Sequence, residues 1–411
     1  MHFIYHILLN IVWFALHVVA LFNAKIKLFV QGRKQTFCIL EDKLNPTDKT
    51  IWMHVASLGE FEQGLPILER LRAQYPKHKL VLSFFSPSGY EVKKNTTAAD
   101  VVVYLPMDSL SNAKRFLKLV HPELAIFVKY EVWPNYLHQL KKSNTPTILI
   151  SAIFSKRQIY FKRYGGFMRK SLQKFDAYFV QDDDSKKLLD SIGITKVQVG
   201  GDTRLDRVSE ILERNNRLDF MDRFKNNQLC LVAGSTWPED ESILIDYINR
   251  SEERLKFVIA PHQIKPAHVA KITAALQKPS ICYSALGDQN LKEIDVMIID
   301  TIGLLTKIYS YANIAYVGGG FATGLHNTME PAVFGVPIII GPQFEGFKEA
   351  EDLVREGGIV PVSSKDSFIN LMKDLLDHPT TLQNKGKINS DYINSNKGAS
   401  DLIMKYISRV L

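Results

Sequence analysis

Strand-like and helix-like segments alternate from Thr50 almost to the carboxyl terminus, and the alternation stops and restarts once. That pattern predicts an α/β protein of two domains, each built from parallel βαβ units. Two further observations agree. The chain has 411 residues, room for two or three ordinary domains. Hydrophobic residues make up 46% and charged residues 23%, a globular balance that excludes disorder as the dominant state.

The amino-terminal segment stands apart. Phe3 to Phe22 is a mostly large, apolar run that could just span a bilayer as a helix. A cleaved signal peptide fits poorly, because no basic region precedes the run and no small-x-small site follows it. Lys25, Lys27, Arg33 and Lys34 come next, which by the positive-inside rule would keep the rest of the chain cytoplasmic. At 100° per residue, His6, Asn10, Trp13 and His17 fall within about 60° of one another. One shared polar face also suits a helix lying in the membrane interface, and a buried core helix is the third option. Residues 1–24 are therefore expected to form a membrane-anchoring helix.

The first α/β domain is expected over 25–210. Ile51–Ala56 is a short apolar run. Phe61, Leu65, Leu68 and Leu71 then share one face of a helix reaching about Tyr75. Lys79–Phe85, Leu124–Val128, Thr147–Ser151, Ala177–Gln181 and Val197–Val199 read as further strands. A polar stretch from Arg207 to Asn227 separates the halves. The second domain, 211–390, carries strand candidates at Leu229–Ala233, Phe257–Ala260, Val296–Ile299, Ile314–Val317 and Pro337–Ile340. Residues 391–411, with Ile393, Leu402, Ile403 and Ile407, predict a helix that returns to pack on a domain. In folds of this kind a ligand crevice faces the carboxyl ends of the strands.

Charge and cysteine narrow the function classes. A net charge of +8 favours anionic partners without choosing among nucleic acid, phosphorylated ligand and membrane. Cys38, Cys230 and Cys282 are too far apart for a disulfide framework or a cysteine-based zinc site.

Five segments could carry chemistry, each with a plainer reading beside it. His54-Val55-Ala56-Ser57-Leu58-Gly59-Glu60-Phe61 lies where a strand ends and a helix begins. Gly59 would let a ligand approach the backbone, and Glu60 could act as a general base or merely complement the helix dipole. Lys129-Tyr130-Glu131-Val132-Trp133-Pro134-Asn135 repeats that placement, and could be only a helix start. Gly200-Gly201-Asp202-Thr203-Arg204 offers Arg204 as an anion clamp or a solvated turn residue. Gly234-Ser235-Thr236-Trp237-Pro238 is a helix cap first and a nucleotide contact second. Gly318-Gly319-Gly320-Phe321 followed by Gly324-Leu325-His326-Asn327-Thr328-Met329-Glu330 could seat a phosphate on backbone N–H groups and a ribose on Glu330, or be a plain turn; it matches neither a Walker loop nor a GxGxxG fingerprint.

Two other features compete for attention. Asp182-Asp183-Asp184 could hold a divalent metal, but lysines follow it directly, as in a dipole-matched helix start. The run Lys156, Arg157, Lys162, Arg163, Arg169, Lys170 and Lys174 is interleaved with Tyr160, Phe161, Tyr164 and Phe167. Such a patch could bind nucleic acid or lipid phosphates, and no nucleic-acid signature accompanies it.

The five motifs, in this order behind an apolar helix, resemble the 3-deoxy-D-manno-octulosonic acid (Kdo) transferases of Gram-negative bacteria. The resemblance covers nearly the whole chain. It implies the GT-B architecture, two Rossmann-like domains facing a central cleft. It also implies inverting transfer of Kdo from CMP-Kdo onto the lipid A precursor (lipid IVA), with release of CMP, at the cytoplasmic side of the inner membrane. Glu60 then matches the family's general base, acting on the 6'-hydroxyl of the acceptor glucosamine. Glu131 matches a position that supports the transition state, and Arg204 a basic residue, usually Lys, that steadies phosphate or carboxylate. Gly234, Ser235 and Thr236 fall to the donor, as do Gly319 and Gly320. Pro261-His262 aligns with a Pro-Arg pair on the nucleotide, Ile302-Gly303-Leu304 with a Met-Gly-Glu type segment, and Asn327-Thr328-Met329-Glu330 with Asn-Pro-Leu-Glu around the ribose. Ser57, Gly59, Lys129, Trp133, Arg157 and Arg163 are assigned to the acceptor.

The resemblance further implies no metal or other cofactor, since a phosphomonoester leaving group needs less metal help than a diphosphate. Partners are CMP-Kdo, the lipid A precursor and a membrane surface, with no nucleic acid. The alternatives are another nucleotide-sugar transferase or epimerase of the same fold using UDP-sugars, and a membrane-bound nucleic-acid-binding protein. One physical question stays open at this stage: a helix amino terminus lowers the proton affinity of Glu60, while burial raises it.

Overall fold

The structure, a computed structural model, describes residues 2–411 apart from Asp288 and Thr323. The chain forms two compact units. The first takes residues up to Asp206 and again Asn396–Leu411, and the second takes Arg207–Ser395. The divisions expected at 210/211 and 390/391 thus fall at Asp206/Arg207 and Ser395/Asn396.

The first unit holds seven parallel strands among its described residues: β1 (Lys49–Val55), β2 (His78–Phe84), β3 (Val101–Tyr104), β4 (Pro122–Val128), β5 (Thr147–Ala152), β6 (Ala177–Val180) and β7 (Val197–Val199). They lie in the order β3-β2-β1-β4-β5-β6-β7. Both faces are covered, which is why the strands read as continuous apolar runs. Alternate residues feed opposite layers. Trp52, Phe127 and Leu149 pack with Phe116 and Tyr136 on one face. Met53, Leu82 and Ile126 pack with Phe61 and Leu65 on the other. The order reverses between β1 and β4, so the carboxyl ends of those two strands frame the switch point where ligands of such sheets bind.

The second unit repeats the design with β8 (Leu229–Thr236), β9 (Leu255–Pro261), β10 (Ser280–Cys282), β11 (Val296–Ile298), β12 (Ile314–Val317), β13 (Ile338–Ile340) and β14 (Ile359–Pro361). Their order is β10-β11-β9-β8-β12-β13-β14, all parallel, with the reversal between β8 and β12. Its core joins Phe257, Tyr316 and Ile339 to Leu244, Tyr247 and Phe368 on flanking helices.

Four sequence expectations need correction. The amino-terminal helix α1 (His2–Val19) forms, but among the described residues no helix is long and apolar enough to cross a membrane. A second helix, α2 (Ala24–Lys43), follows at once, and α1 lies against it, with Leu9, Trp13 and Leu16 packed on Phe29, Val30 and Met107. On the shared face His6, Trp13 and His17 are half-buried and Asn10 is exposed, whereas Ile7, Leu8, Ile11, Val12, Phe14 and Val18 point outward. Tyr5 ties the helix down by donating its hydroxyl to Asp108 at 2.7 Å.

Arg33, read as a membrane-flanking charge, is buried. It donates to the carbonyls of Phe29 and Phe85 at 2.8 and 2.6 Å and lies over the Phe29 ring. The polar stretch 207–227 is not a bare linker. It includes the helix Asp219–Lys225, whose Met221 and Phe224 are fully buried. The chain end is two helices, Pro379–Asn396 and Ala399–Val410, broken at Gly398. The last one returns to the first unit, where Ile403, Met404 and Ile407 join the core around Phe61. Asp206 fastens it by accepting from the N–H groups of Gly398 and Ser400.

Candidate functional site

Chemistry-bearing residues gather at the carboxyl edge of each sheet. In the first unit, β1 runs into helix α3 (Leu58–Gln74), with Ser57 as its extended N-cap. Glu60 sits in the first turn and bends back to accept from the Ala56 N–H at 2.5 Å. It is only 5% exposed. Burial, then the charge of Glu131, raises its carboxyl to about 8, against the opposing Ala56 N–H and Lys129. Burial therefore outweighs the helix terminus, which answers the question the sequence left open. Above Gly59 there is room: an added Cβ would meet nothing nearer than Ser57 Oγ at 4.0 Å.

Glu131 follows β4. Lys129 between them has φ 67, a left-handed conformation unusual for a side chain of that size, and it re-aims the strand end. Glu131 Oε2 then lies 3.2 Å from His54 Nε2 and accepts from Trp133 Nε1 at 2.9 Å. Trp133 stands at the N-cap of the helix Pro134–Lys142. Glu60, Glu131, Lys129 and Trp133 are thus brought together across the switch point.

The third motif reaches the same helix one turn on. Gln63 donates to Asp202 at 2.8 Å, and the Thr203 hydroxyl donates to the Gln63 carbonyl. Arg204 grips Asp202 through Nε and Nη2 at 3.0 and 2.8 Å. Burial alone would raise the Asp202 carboxyl, but the Arg204 charge and the hydrogen bonds hold it below the usual range. Arg204 is therefore an anchored cation, already half-committed to a carboxylate.

Arg157 and Arg163 lie elsewhere, at the basic, aromatic run. Arg163, Lys170 and Lys174 border a cavity of 440 Å³ with Tyr164 and Phe167, and the Phe167 ring meets Tyr5 of α1 at 5.4 Å. Asp182 is a plain cap: it accepts from Ser185 N–H at 2.8 Å at the start of the helix Asp183–Asp190. Among the described residues, no group of three or more His, Cys, Asp or Glu is arranged to hold a metal ion.

In the second unit, Ser235 at the end of β8 has φ 55, and the chain turns there into the helix Pro238–Arg250. Thr236 donates to Glu241 at 3.0 Å rather than standing free. Asp240, fully buried, accepts from Trp237 N, Gly319 N and the Tyr316 hydroxyl at 2.9, 2.9 and 2.6 Å. That carboxylate pins the glycine loop to the helix start. Gly319 has φ 96, and at Gly320 a Cβ would lie 2.8 Å from Gly341 Cα. These glycines let backbone meet backbone, a structural demand the phosphate reading had not included.

Pro261 closes β9, and His262 stacks on Trp237 with centroids 4.7 Å apart and planes at 19°. His326 completes the stack, 4.6 Å from His262, and its Nε2 accepts from Trp237 Nε1 at 3.1 Å. Burial, then His262, lowers the His326 imidazole to about 4. Glu330 bonds Asn327 Nδ2 at 3.1 Å and the Thr306 hydroxyl at 2.8 Å, which brings the Ile302-Gly303-Leu304 segment near it. Ile302 is strongly exposed. The Thr328 hydroxyl is buried without a partner among the described residues, and Met329 begins the short helix Met329–Ala332.

Sequence reasoning left four residues of these sites without a role. His54 and Ser83 meet through a pairing of adjacent strands, which no local pattern announces. Trp237 and His326 were quoted inside motifs, and only the fold stacks them with His262.

Residues 31–207 match a family described as 3-deoxy-D-manno-octulosonic-acid transferase (kdotransferase). The chain is 27% identical over 345 residues to a 3-deoxy-D-manno-octulosonic acid transferase of Chlamydophila psittaci, spanning 81% of this chain and 78% of that protein. It is 27% identical over 382 residues to the same-named protein of Haemophilus influenzae, spanning 89% and 88%. Among solved structures, UDP-GlcNAc 2-epimerase from Neisseria meningitidis bound to UDP-GlcNAc superposes with a TM-score of 0.59 at 15% identity, covering 88% of this chain and 100% of that one. At that identity the likeness concerns the fold alone.

Proposed function

We propose that this chain is a Kdo transferase that moves Kdo from CMP-Kdo onto a lipid A precursor, inverting the anomeric centre and releasing CMP; the family match over residues 31–207 and the similarity to the two named transferases support the reading. Kdo transfer in lipopolysaccharide biosynthesis is the enzyme's reaction; the donor, the acceptor and the stereochemistry are the finer part of the reading. The observation that carries it is Glu60, a buried carboxylate raised to about 8 at the switch point of the first sheet. A base of that strength is matched to a sugar hydroxyl near neutral pH.

Ionised Glu60 would take the proton of the acceptor 6'-hydroxyl as its oxygen attacks the anomeric carbon of Kdo. The bond to phosphate breaks on the opposite side, and CMP carries away the electron pair. Glu131 and the anchored Arg204 would stabilise charge as it develops. The edge of the second sheet would hold CMP, with Glu330 on the ribose, the His262 and Trp237 stack beside the nucleotide and no metal. The two sheets are read as the GT-B architecture.

The outward apolar face of α1 fits a helix lying on a membrane rather than crossing it. The cationic cavity by Arg163, and Arg157 near it, would then face the acceptor's phosphates, at the cytoplasmic side of the inner membrane. The test is CMP-Kdo with tetraacylated lipid A precursor, products resolved by mass. Added Kdo that vanishes in Glu60→Gln supports the reading. Turnover of a UDP-sugar instead, or wild-type turnover in Glu60→Gln, refutes it.

A further inference from the structure

We propose that His54 is a positioning residue for the transfer: with Trp133 it clamps one oxygen of Glu131, and so holds that carboxylate at a fixed place facing Glu60. The inference rests on Glu60 being the base.

The clamp is built from buried parts. Trp52 Nε1 donates to Ser83 Oγ at 2.8 Å. Ser83 Oγ in turn lies 2.9 Å from His54 Nδ1. Nδ1 also lies 3.1 Å from the Ser83 carbonyl oxygen, and Trp133 Nε1 lies 3.0 Å from Nε2. We assign the imidazole proton to Nε2 because the Glu131 carboxylate is a charged acceptor, and the Ser83 hydroxyl, which accepts from Trp52, then donates to Nδ1. Nε2 then donates to Glu131 Oε2 at 3.2 Å, and Trp133 Nε1 donates to the same oxygen at 2.9 Å. Trp52, His54 and Ser83 are completely buried, so water does not compete for these bonds.

The chain starts in strands β1 and β2, rigid elements of the sheet, and ends on a side chain of a loop. The backbone of that loop is fixed by the left-handed Lys129, whose N–H donates to the Ile150 carbonyl at 2.8 Å, and by the buried Val132, whereas the Glu131 side chain depends on the clamp. Without the clamp, Glu131 would be free to turn toward solvent. Its position matters because its charge is the second cause, after burial, of the raised Glu60 carboxyl. The other titratable groups facing the pair are Lys129, which opposes that effect, and Tyr130 and Tyr160. Both phenols are raised, first by burial and then by these carboxylates. His54 therefore acts on the base at second hand, through the place where a neighbouring charge is kept.

The experiment titrates Glu60 in the full chain by the 13C shift of its carboxyl carbon, assigned with Glu60→Gln, and sets it beside the pH profile of kcat/KM. Wild type should titrate near 8. Glu131→Gln removes the charge and should lower the midpoint by at least about one unit, a tenfold change in proton affinity. His54→Leu should lower it similarly, and the double variant should titrate as Glu131→Gln alone. His54→Gln, whose amide N–H can reach the same oxygen, should restore most of the midpoint. Trp133→Phe removes one donor and should give an intermediate value, which keeps the test decisive if His54→Leu does not fold.

An unchanged midpoint in Glu131→Gln overturns the proposal, as does an unchanged midpoint in His54→Leu or, failing that variant, Trp133→Phe. A further drop in the double variant also overturns it. Should Glu60→Gln turn over normally, the base assignment falls, yet the titration still decides the clamp.

Discussion

Replacing Glu60 by Gln should stabilise the first unit at alkaline pH while abolishing turnover. The amide oxygen can still accept from Ala56 N–H, so the perturbation is chiefly the loss of a titratable proton. Glu60 is raised in the folded chain from an ordinary 4.5 to about 8. The sign follows from linkage: a raised carboxyl favours folding while it is protonated, and that benefit is lost as pH climbs from about 4.5 through 8. At about 1.4 kcal/mol per unit, the full gap would be worth at most about 5 kcal/mol above pH 8. Relaxation and water entry reduce this, and about 2 kcal/mol is expected. For a unit of this size that is a gain of about 4–8 °C in melting temperature. Thermal unfolding of both proteins at pH 5 and pH 9 measures it. The two should melt together at pH 5, and the variant should melt higher at pH 9. Parallel shifts at both pH values would refute the electrostatic reasoning.

Further outcomes follow from other parts of the molecule. Asp240→Ala strips partners from Tyr316, Trp237 and Gly319 at once, and should cost at least about 3 kcal/mol in urea unfolding and weaken CMP-Kdo binding by calorimetry. Lys129→Gly relieves a left-handed side chain and should stabilise by about 1 kcal/mol in the same assay. It also removes a charge that lowers Glu60, so the acid limb of the pH–rate profile should move to higher pH. Ile11→Asp with Phe14→Asp alters only outward side chains of α1, and should reduce flotation with anionic vesicles while leaving thermal unfolding within about 0.5 kcal/mol.

Much of this protein was legible in the chain itself. Apolar runs bounded by turns marked the interior strands β1, β4, β5, β8 and β12, because a strand buried on both faces has no polar positions to blur it. The motifs at their ends were legible for the same reason, since the residue after a buried strand stands at the sheet's edge. The edge strands β10 and β14, three residues each, left no comparable trace, although the equally short edge strand β7 did.

What the sequence alone determined is therefore the architecture, two parallel sheets, and the identity of the residues at their carboxyl edges. Only the tertiary structure decided how those residues behave. Glu60 could have been an ordinary first-turn carboxylate, and it became a stronger base because the fold buries it and sets Glu131 against it. The amphipathic pattern of α1 identified two faces but not their directions; the His6, Trp13 and His17 face turned inward because Phe29, Val30 and Asp108 were there to receive that side of the helix. His54 gained a role only through Ser83 on the neighbouring strand. Periodicity is a property of the chain, whereas proton affinity and contact depend on which segments the fold brings within a few ångströms.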